Sequence, residues 1–252
     1  MTKEQYLIQL YEAYKSGQSL EHSIFPENIA NLEEAYAVQH AFTSMKEADG
    51  EKLSGYKISL TSTTTQKMFN TNEPLYGQLT DKRVCNKLQL SNTSEPKIEL
   101  ELVFIASEDL SPEDSLSDIL AKTKVAPGLE VPDSRYKNWF PNISKEHVCC
   151  DGAVGGWLSY AEAVPATFSL LDKSPGSLLL NGKEIAKNTS DNVLSHPVHA
   201  VAWLLKKLEQ HKLQVKKGMF ISSGTFVPPA PLERGIYEGR FGNFGSVHLE
   251  IT

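Results

Sequence analysis

Glu99 and Glu101 stand two apart in "PKIELELVFI", residues 96 to 105, a run otherwise apolar except for Lys97. Successive side chains of a strand alternate faces, so the two carboxylates share one face while Ile98, Leu100 and Leu102 share the other. Two carboxylates about 4 Å apart repel by roughly 4 kcal/mol at an effective dielectric near 20. That is large beside a total folding stability of about 5–15 kcal/mol. Either water screens the pair on an exposed strand face, or a cation offsets it. Hard ions such as Mg²⁺ and Mn²⁺ take carboxylate oxygens and keep positions open for water and substrate.

A third carboxylate, Glu130, sits in "APGLEVPDSR" inside a short apolar strand between Pro127 and Pro132, an odd place for an unpaired charge. Asp133 and Arg135 follow at the same strand end and are expected to form an ion pair or to brace a ligand shell. A cation comes from "GYKISL", where Tyr56, Ile58 and Leu60 share one face and Lys57 and Ser59 the other, with Thr61 joining them if the strand continues. Immediately after it, Thr63 and Gln66 have capping-box spacing, so a short helix starts there with its N–H groups directed back toward the strand end, an arrangement that favours an anion. Other reactive residue types read as structural. Cys85, Cys149 and Cys150 lack CxxC spacing and are expected to be reduced packing thiols. His196 and His199 read as a cap and a surface residue at a helix start, and "GRFGNFGSV" as a bent strand or hairpin.

The elements that must position these groups follow from periodicity. Residues 3–15 and 32–47 carry apolar side chains three and four apart, as amphipathic helices do. From about residue 82 the pattern changes to short strands, among them "GLEV", "SLLLNGKEIA", "GMFISSGTF", "GIYEGRF" and "GSVHLEI", with Asn181–Gly182 marking a tight hairpin. One helix interrupts them, "SHPVHAVAWLLKKLEQHK", capped by Ser195 or His196 with Pro197 in its first turn. The expected fold class is α+β, with a helical and mixed N-terminal cap over residues 1–80 and a mostly antiparallel, β-rich catalytic core over residues 81–252, the two forming separate or continuous domains.

The net charge of −6, from 25 basic and 31 acidic residues, comes without a basic block, which points to a small-molecule partner rather than nucleic acid. No apolar run approaches the eighteen or so residues of a membrane span, and the N-terminus lacks the regions of a signal peptide, so a cytoplasmic protein is expected.

Eight segments in order, "LEEAYAVQ", "YKISLTS", "NEPLYGQLTD", "PKIELEL", "LEVPDSRYKNW", "SHPVHAVAWL", "SSGTFVPPAP" and "FGSVHLEI", resemble the hydratase and decarboxylase branch of the fumarylacetoacetate hydrolase superfamily over nearly the whole chain. The resemblance implies that superfamily's mixed β-sandwich roll. It also implies Mg²⁺ or Mn²⁺ held by Glu99, Glu101 and Glu130, and a 2-oxo or 2-hydroxy dienoate substrate. Lys57 is then the catalytic lysine, neutralising the substrate or shuttling a proton, and Thr61, Ser62, Ser222, Ser223 and Thr225 are substrate-binding hydroxyl or backbone donors. A homo-oligomer, or a complex with a related hydratase, is implied as well.

Position 75 separates the family's two reactions. Hydratases of the family carry an Asp there, in "PDFG" or "PDYG", suited to adding water, and this chain has Leu75. The expected activity is therefore decarboxylation of 2-oxo-3-hexenedioate (4-oxalocrotonate) through a metal-stabilised dienolate. Hydration of 2-hydroxypenta-2,4-dienoate is the alternative, followed by an acylpyruvate-type C–C hydrolase and a non-catalytic partner subunit. Ser59 in place of a strand glycine, Ser195 in place of a glycine, and "DGAVG" (Asp151 to Gly155) where relatives read "DNASS" also depart from the family pattern.

Overall fold

A computed structural model describes all residues, 1–252. The helices are α1 (Lys3–Ser16), α2 (Leu32–Ala48), α3 (Thr63–Met68), α4 (Leu116–Ala121), α5 (Trp139–Asn142), α6 (Lys145–Cys150), α7 (Phe168–Leu171) and α8 (Pro197–Gln210). The strands are β1 (Leu53–Ser59), β2 (Leu75–Thr80), β3 (Lys87–Leu88), β4 (Glu95–Ala106), β5 (Thr123–Val131), β6 (Asp133–Ser134), β7 (Trp157–Tyr160), β8 (Pro175–Leu180), β9 (Lys183–Thr189), β10 (Phe220–Thr225), β11 (Ala230–Pro231), β12 (Gly235–Phe241) and β13 (Gly245–Ile251). No helix is long and apolar enough to cross a membrane.

The strands form two sheets, and the chain is α+β. The larger runs β2-β1-β10-β4-β5-β7, antiparallel except where β1 lies parallel to β10, and the smaller runs β3-β13-β12-β8-β9. Alternation along β4 divides its side chains as the sequence requires. Ile98, Leu100, Leu102 and Phe104 enter the main apolar core, and Gly176 and Gly239 of the second sheet come within contact of Leu100. Glu99 and Glu101 point to the other face. The core is continuous from Tyr6, Leu10 and Phe42 of the N-terminal helices to Leu129 and Tyr237 of the later strands. Residue 80 therefore falls within one sheet and one core, since β1 and β2 pair into the same sheet as β10 and β4.

Local signals explain most element ends. Asn181 and Gly182 both take positive φ, 50° and 80°, and turn β8 into β9. Of the two residues able to cap α8, His196 does so: its side chain accepts from the Val198 N–H, and Pro197 follows. His196 is buried and stacks on Phe168 with ring centroids 3.8 Å apart, while His199, expected at the surface, is half-buried against Leu194 O. At α3 the cap lies one residue earlier than Thr63. Ser62 accepts from the Thr65 N–H, and Gln66, instead of closing a capping box, donates to Leu60 O at 3.0 Å. The cause is Leu60, whose φ of 57° breaks β1 and re-aims the chain. The three cysteines are free, with Cys149 and Cys150 buried.

Candidate metal centre and adjoining cavity

Antiparallel pairing of β4 with β5 sets Glu99 opposite Glu130 and Glu101 opposite Gly128. Residues directly opposed on neighbouring strands share a face, so the third carboxylate joins the first two by register. Oxygen atoms of Glu99, Glu101 and Glu130 lie within 4.8 Å of one another, and all three residues are buried. Water does not screen this face, which removes the solvated-strand reading of the glutamate pair.

Lys57 on β1 completes the cluster. It is 2% exposed, its Nζ lies 2.8 Å from Glu130 Oε1, and it donates to Ala153 O at 2.9 Å. Two backbone features make that contact possible. The segment after α6 takes three successive left-handed residues, Gly152, Ala153 and Val154, which turn the Ala153 carbonyl toward the lysine. Left-handed backbone at non-glycine residues costs of order 1–3 kcal/mol and persists where surrounding structure enforces it. Gly77, opposite Lys57 on β2, admits the segment, because a Cβ at position 77 would stand 1.8 Å from Gly152 O. The "DGAVG" departure thus leaves Lys57 held by a main-chain carbonyl, which any residue at 153 would supply.

Burial pushes the Glu99 carboxyl up to about 8, with Lys57 opposing and Glu130 adding to the rise. The Glu101 carboxyl is raised well above its usual range, first by burial and then by Glu130 and Glu99, while Lys57 and the hydroxyl of Ser222 oppose the shift. Burial alone would lower the Lys57 ammonium, but Glu130, Glu99 and Glu101 together hold it above its ordinary value. Three carboxylates therefore share one lysine. Each pair at such a spacing repels by roughly 3–4 kcal/mol at an effective dielectric near 20.

The residues fit a divalent cation. Neither Glu130 oxygen accepts a hydrogen bond: the Lys57 contact is close enough for an ion pair but poorly directed, and the second oxygen is buried without a donor. A buried carboxylate oxygen lacking a donor is costly unless something coordinates it. The oxygen spacing suits one hard cation bound at about 2.0–2.6 Å.

Glu101 is oriented from β10. Ser222 Oγ donates to Glu101 Oε2 at 2.6 Å and the Gly224 N–H donates to the same oxygen at 2.9 Å. Gly224 has φ 118°, and a Cβ there would meet Thr61 Oγ1 at 2.5 Å, so the close approach needs a glycine. Of the five residues singled out as substrate donors, Thr61, Ser62 and Thr225 line the cavity beside Glu99 and Glu101. Ser222 and Ser223 are fully buried outside its lining. Ser222 braces Glu101, and Ser223 donates to Leu102 O at 2.8 Å.

The expected Asp133–Arg135 ion pair does not form between the side chains. Asp133 Oδ1 accepts from the Ser94 and Glu95 N–H groups, and Arg135 pairs with Asp151, also donating to the carbonyls of Asp133, Asp151 and Gly155. Backbone N–H groups of Ser94 and Glu95 occupy Asp133, and the turn after α6 brings Asp151 beside Arg135. This buried network anchors the same segment that presents Ala153 to Lys57.

The cavity has a volume of about 40 Å³, room for one or two waters; Ser59 and Thr65 join its hydroxyl side, and Phe69, Trp139, Phe140, Val148 and Pro229 form an apolar wall. The sequence marks Trp139 and Phe140 only through the aromatic content of the "YKNWF" run, and Phe69 carries no signal of this role. Leu75 is fully buried and pairs in register with Ser59, a cavity residue.

No protein-family model matches the chain. It is 31% identical to a 2-oxo-hept-4-ene-1,7-dioate hydratase of Escherichia coli, over 88% of this chain and 87% of that one. It is also 31% identical to a 2-hydroxyhexa-2,4-dienoate hydratase of Comamonas testosteroni, over 90% and 88%. Among solved structures it is similar to 4-oxalocrotonate decarboxylase from Pseudomonas putida G7 complexed with magnesium and adipate, with a TM-score of 0.91, 27% identity, and coverage of 100% of this chain and 99% of that one. Its fold is also that of a fumarylpyruvate hydrolase from Pseudomonas aeruginosa, with a TM-score of 0.61 and 14% identity over 80% of this chain and 90% of that one.

Proposed function

Because this chain belongs to the hydratase and decarboxylase family of the fumarylacetoacetate hydrolase superfamily, and so to the lyases, we propose that it hydrates a 2-hydroxy-2,4-dienoate or its 2-oxo-enoate tautomer in a divalent-metal-dependent reaction. The observation that carries this reading is the buried set of Glu99, Glu101 and Glu130 around Lys57, opening onto a cavity lined by hydroxyls. The hydratases among its relatives favour water addition over loss of CO₂, which corrects the order of preference drawn from the sequence.

Mg²⁺ or Mn²⁺ held by the three glutamates would supply a Lewis acid for the substrate oxygen on which negative charge develops. The chain's own groups do the rest. Thr61, Ser62 and Thr225 are the donors we assign to the substrate carboxylate, since they line the cavity next to Glu99 and Glu101. Lys57 pairs with Glu130 and is the group we assign to hold a proton close to the developing charge. Ser222 and the Gly224 N–H orient Glu101, so Ser222 acts through that carboxylate. The apolar wall of Phe69, Trp139 and Phe140 limits bulk water around a reactive dienol.

Decarboxylation of 2-oxo-3-hexenedioate is a second reading, favoured by Leu75. Its buried apolar side chain sits in register with Ser59 and supplies no acid or base for water, whereas loss of CO₂ needs none. The two separate in one experiment. Protein supplied with Mg²⁺ is given 2-hydroxypenta-2,4-dienoate while the diene absorbance is followed, and 2-oxo-3-hexenedioate while CO₂ release is followed. Diene loss with water incorporated supports hydration. CO₂ release without diene turnover overturns it in favour of the second reading.

A further inference from the structure

Relatives of equal identity carry the names of a diacid hydratase and a monoacid hydratase, so likeness alone does not say whether the substrate's far end is charged. The cavity wall does bear on it. Beyond Glu99, Glu101 and the hydroxyl side, the lining is Phe69, Trp139, Phe140, Val148 and Pro229, with no lysine, arginine or histidine.

The cations nearby are committed elsewhere or lie outside. Lys57 is buried against Glu130 and Ala153 O, and Arg135 against Asp151. Lys97 shares the strand face of Glu99 and lies 5.8 Å from the Phe140 ring centroid, but it lines a neighbouring cavity on the other side of Trp139 and Phe140, which border both, and not the cavity beside the glutamates. A second carboxylate, lodged among Phe69, Trp139 and Phe140, would be desolvated against side chains that supply neither counter-charge nor free donor.

We infer that the site selects a 2-oxo or 2-hydroxy monoacid with an uncharged tail and rejects the diacid of the same length. This inference rests on the 2-oxo-acid reaction proposed above and narrows its substrate class. The aromatic wall is what argues for the uncharged tail.

The test uses two saturated analogues that lack the reactive double bond and differ only at C6: 2-oxohexanoate, ending in a methyl, and 2-oxohexanedioate, ending in a carboxylate. Each is titrated by calorimetry into the full-length protein in excess Mg²⁺. The monoacid is expected to bind at least about tenfold more tightly. Equal affinity, or a preference for the diacid, overturns the inference while leaving the 2-oxo-acid reaction in place. Failure of both to bind overturns the 2-oxo-acid reading itself, and the inference falls with it. Because 2-oxo-3-hexenedioate is a diacid, a clear monoacid preference also weakens the decarboxylase reading.

Discussion

Glu99 on β4 and Glu130 on β5 stand directly opposite each other in antiparallel register, both buried, with Lys57 against Glu130 from a third strand. Opposed like charges destabilise a strand pair. This pair persists because Lys57 offsets part of the repulsion and β4 and β5 pair without a break from Glu99–Glu130, the end of the register, to Ala106–Thr123.

The Glu99→Gln variant should lose Mn²⁺ affinity by at least about a hundredfold, since one of three anionic oxygens is removed. Without metal its stability should match or exceed wild type, most clearly above pH 8, where the buried Glu99 carboxyl is ionised and the repulsion is present. Calorimetry gives the first quantity and urea unfolding in chelator the second. A large loss of metal-free stability would show that the glutamate is held by favourable contacts instead.

Lys57→Met leaves Glu130 buried without its counter-charge, and breaking a buried pair from one side costs about 3–5 kcal/mol. Urea unfolding of metal-free protein should show a loss of that size, and the double variant Lys57→Met, Glu130→Gln should recover much of it. Equal stability of the single variant and wild type would mean that water reaches Glu130.

Ser222→Ala removes the hydroxyl that donates to Glu101 without touching the cavity lining. Metal affinity should fall about 10–100-fold with little change in melting temperature, and Ser222→Thr should restore part of it. Unchanged affinity would mean that the Gly224 N–H orients Glu101 by itself.

Gly77→Ala places a methyl 1.8 Å from Gly152 O, a main-chain atom that cannot rotate away. The segment carrying Ala153 must shift, with an expected loss of about 2 kcal/mol or more by thermal unfolding. Metal affinity should drop with it, because Lys57 loses its carbonyl partner. A wild-type melting temperature would contradict this close approach.

His40 lies against Tyr76, whose hydroxyl also meets His211. Burial, and then the neighbouring His211, push the His40 imidazole down to about 4. The unfolded chain binds this proton below about 6.5 and the folded chain only near 4, so stability is fully present above 6.5 and declines as pH falls from 6.5 to 4. The urea midpoint should fall over that window by less in His40→Gln than in wild type. Parallel curves for the two proteins would show that His40 titrates normally.

Period-two alternation placed Glu99 and Glu101 together and opposite Ile98 and Leu100 before any partner was known. It likewise set Lys57 apart from Tyr56 and Ile58. Asn181–Gly182 and the Pro197 helix start were equally legible, because a turn or a cap depends on a few adjacent residues. Tertiary structure decided the rest. That Glu130 stands opposite Glu99 is a matter of register between distant strands, which no local periodicity encodes. Arg135 took Asp151 in place of the nearer Asp133 because backbone N–H groups already occupied Asp133 and the turn after α6 delivered a buried alternative. The aromatic wall of Phe69, Trp139 and Phe140 exists only where the end of α3 and the short α5 meet beside the glutamates. An apolar side chain reads the same in sequence whether it ends in the core or against a substrate.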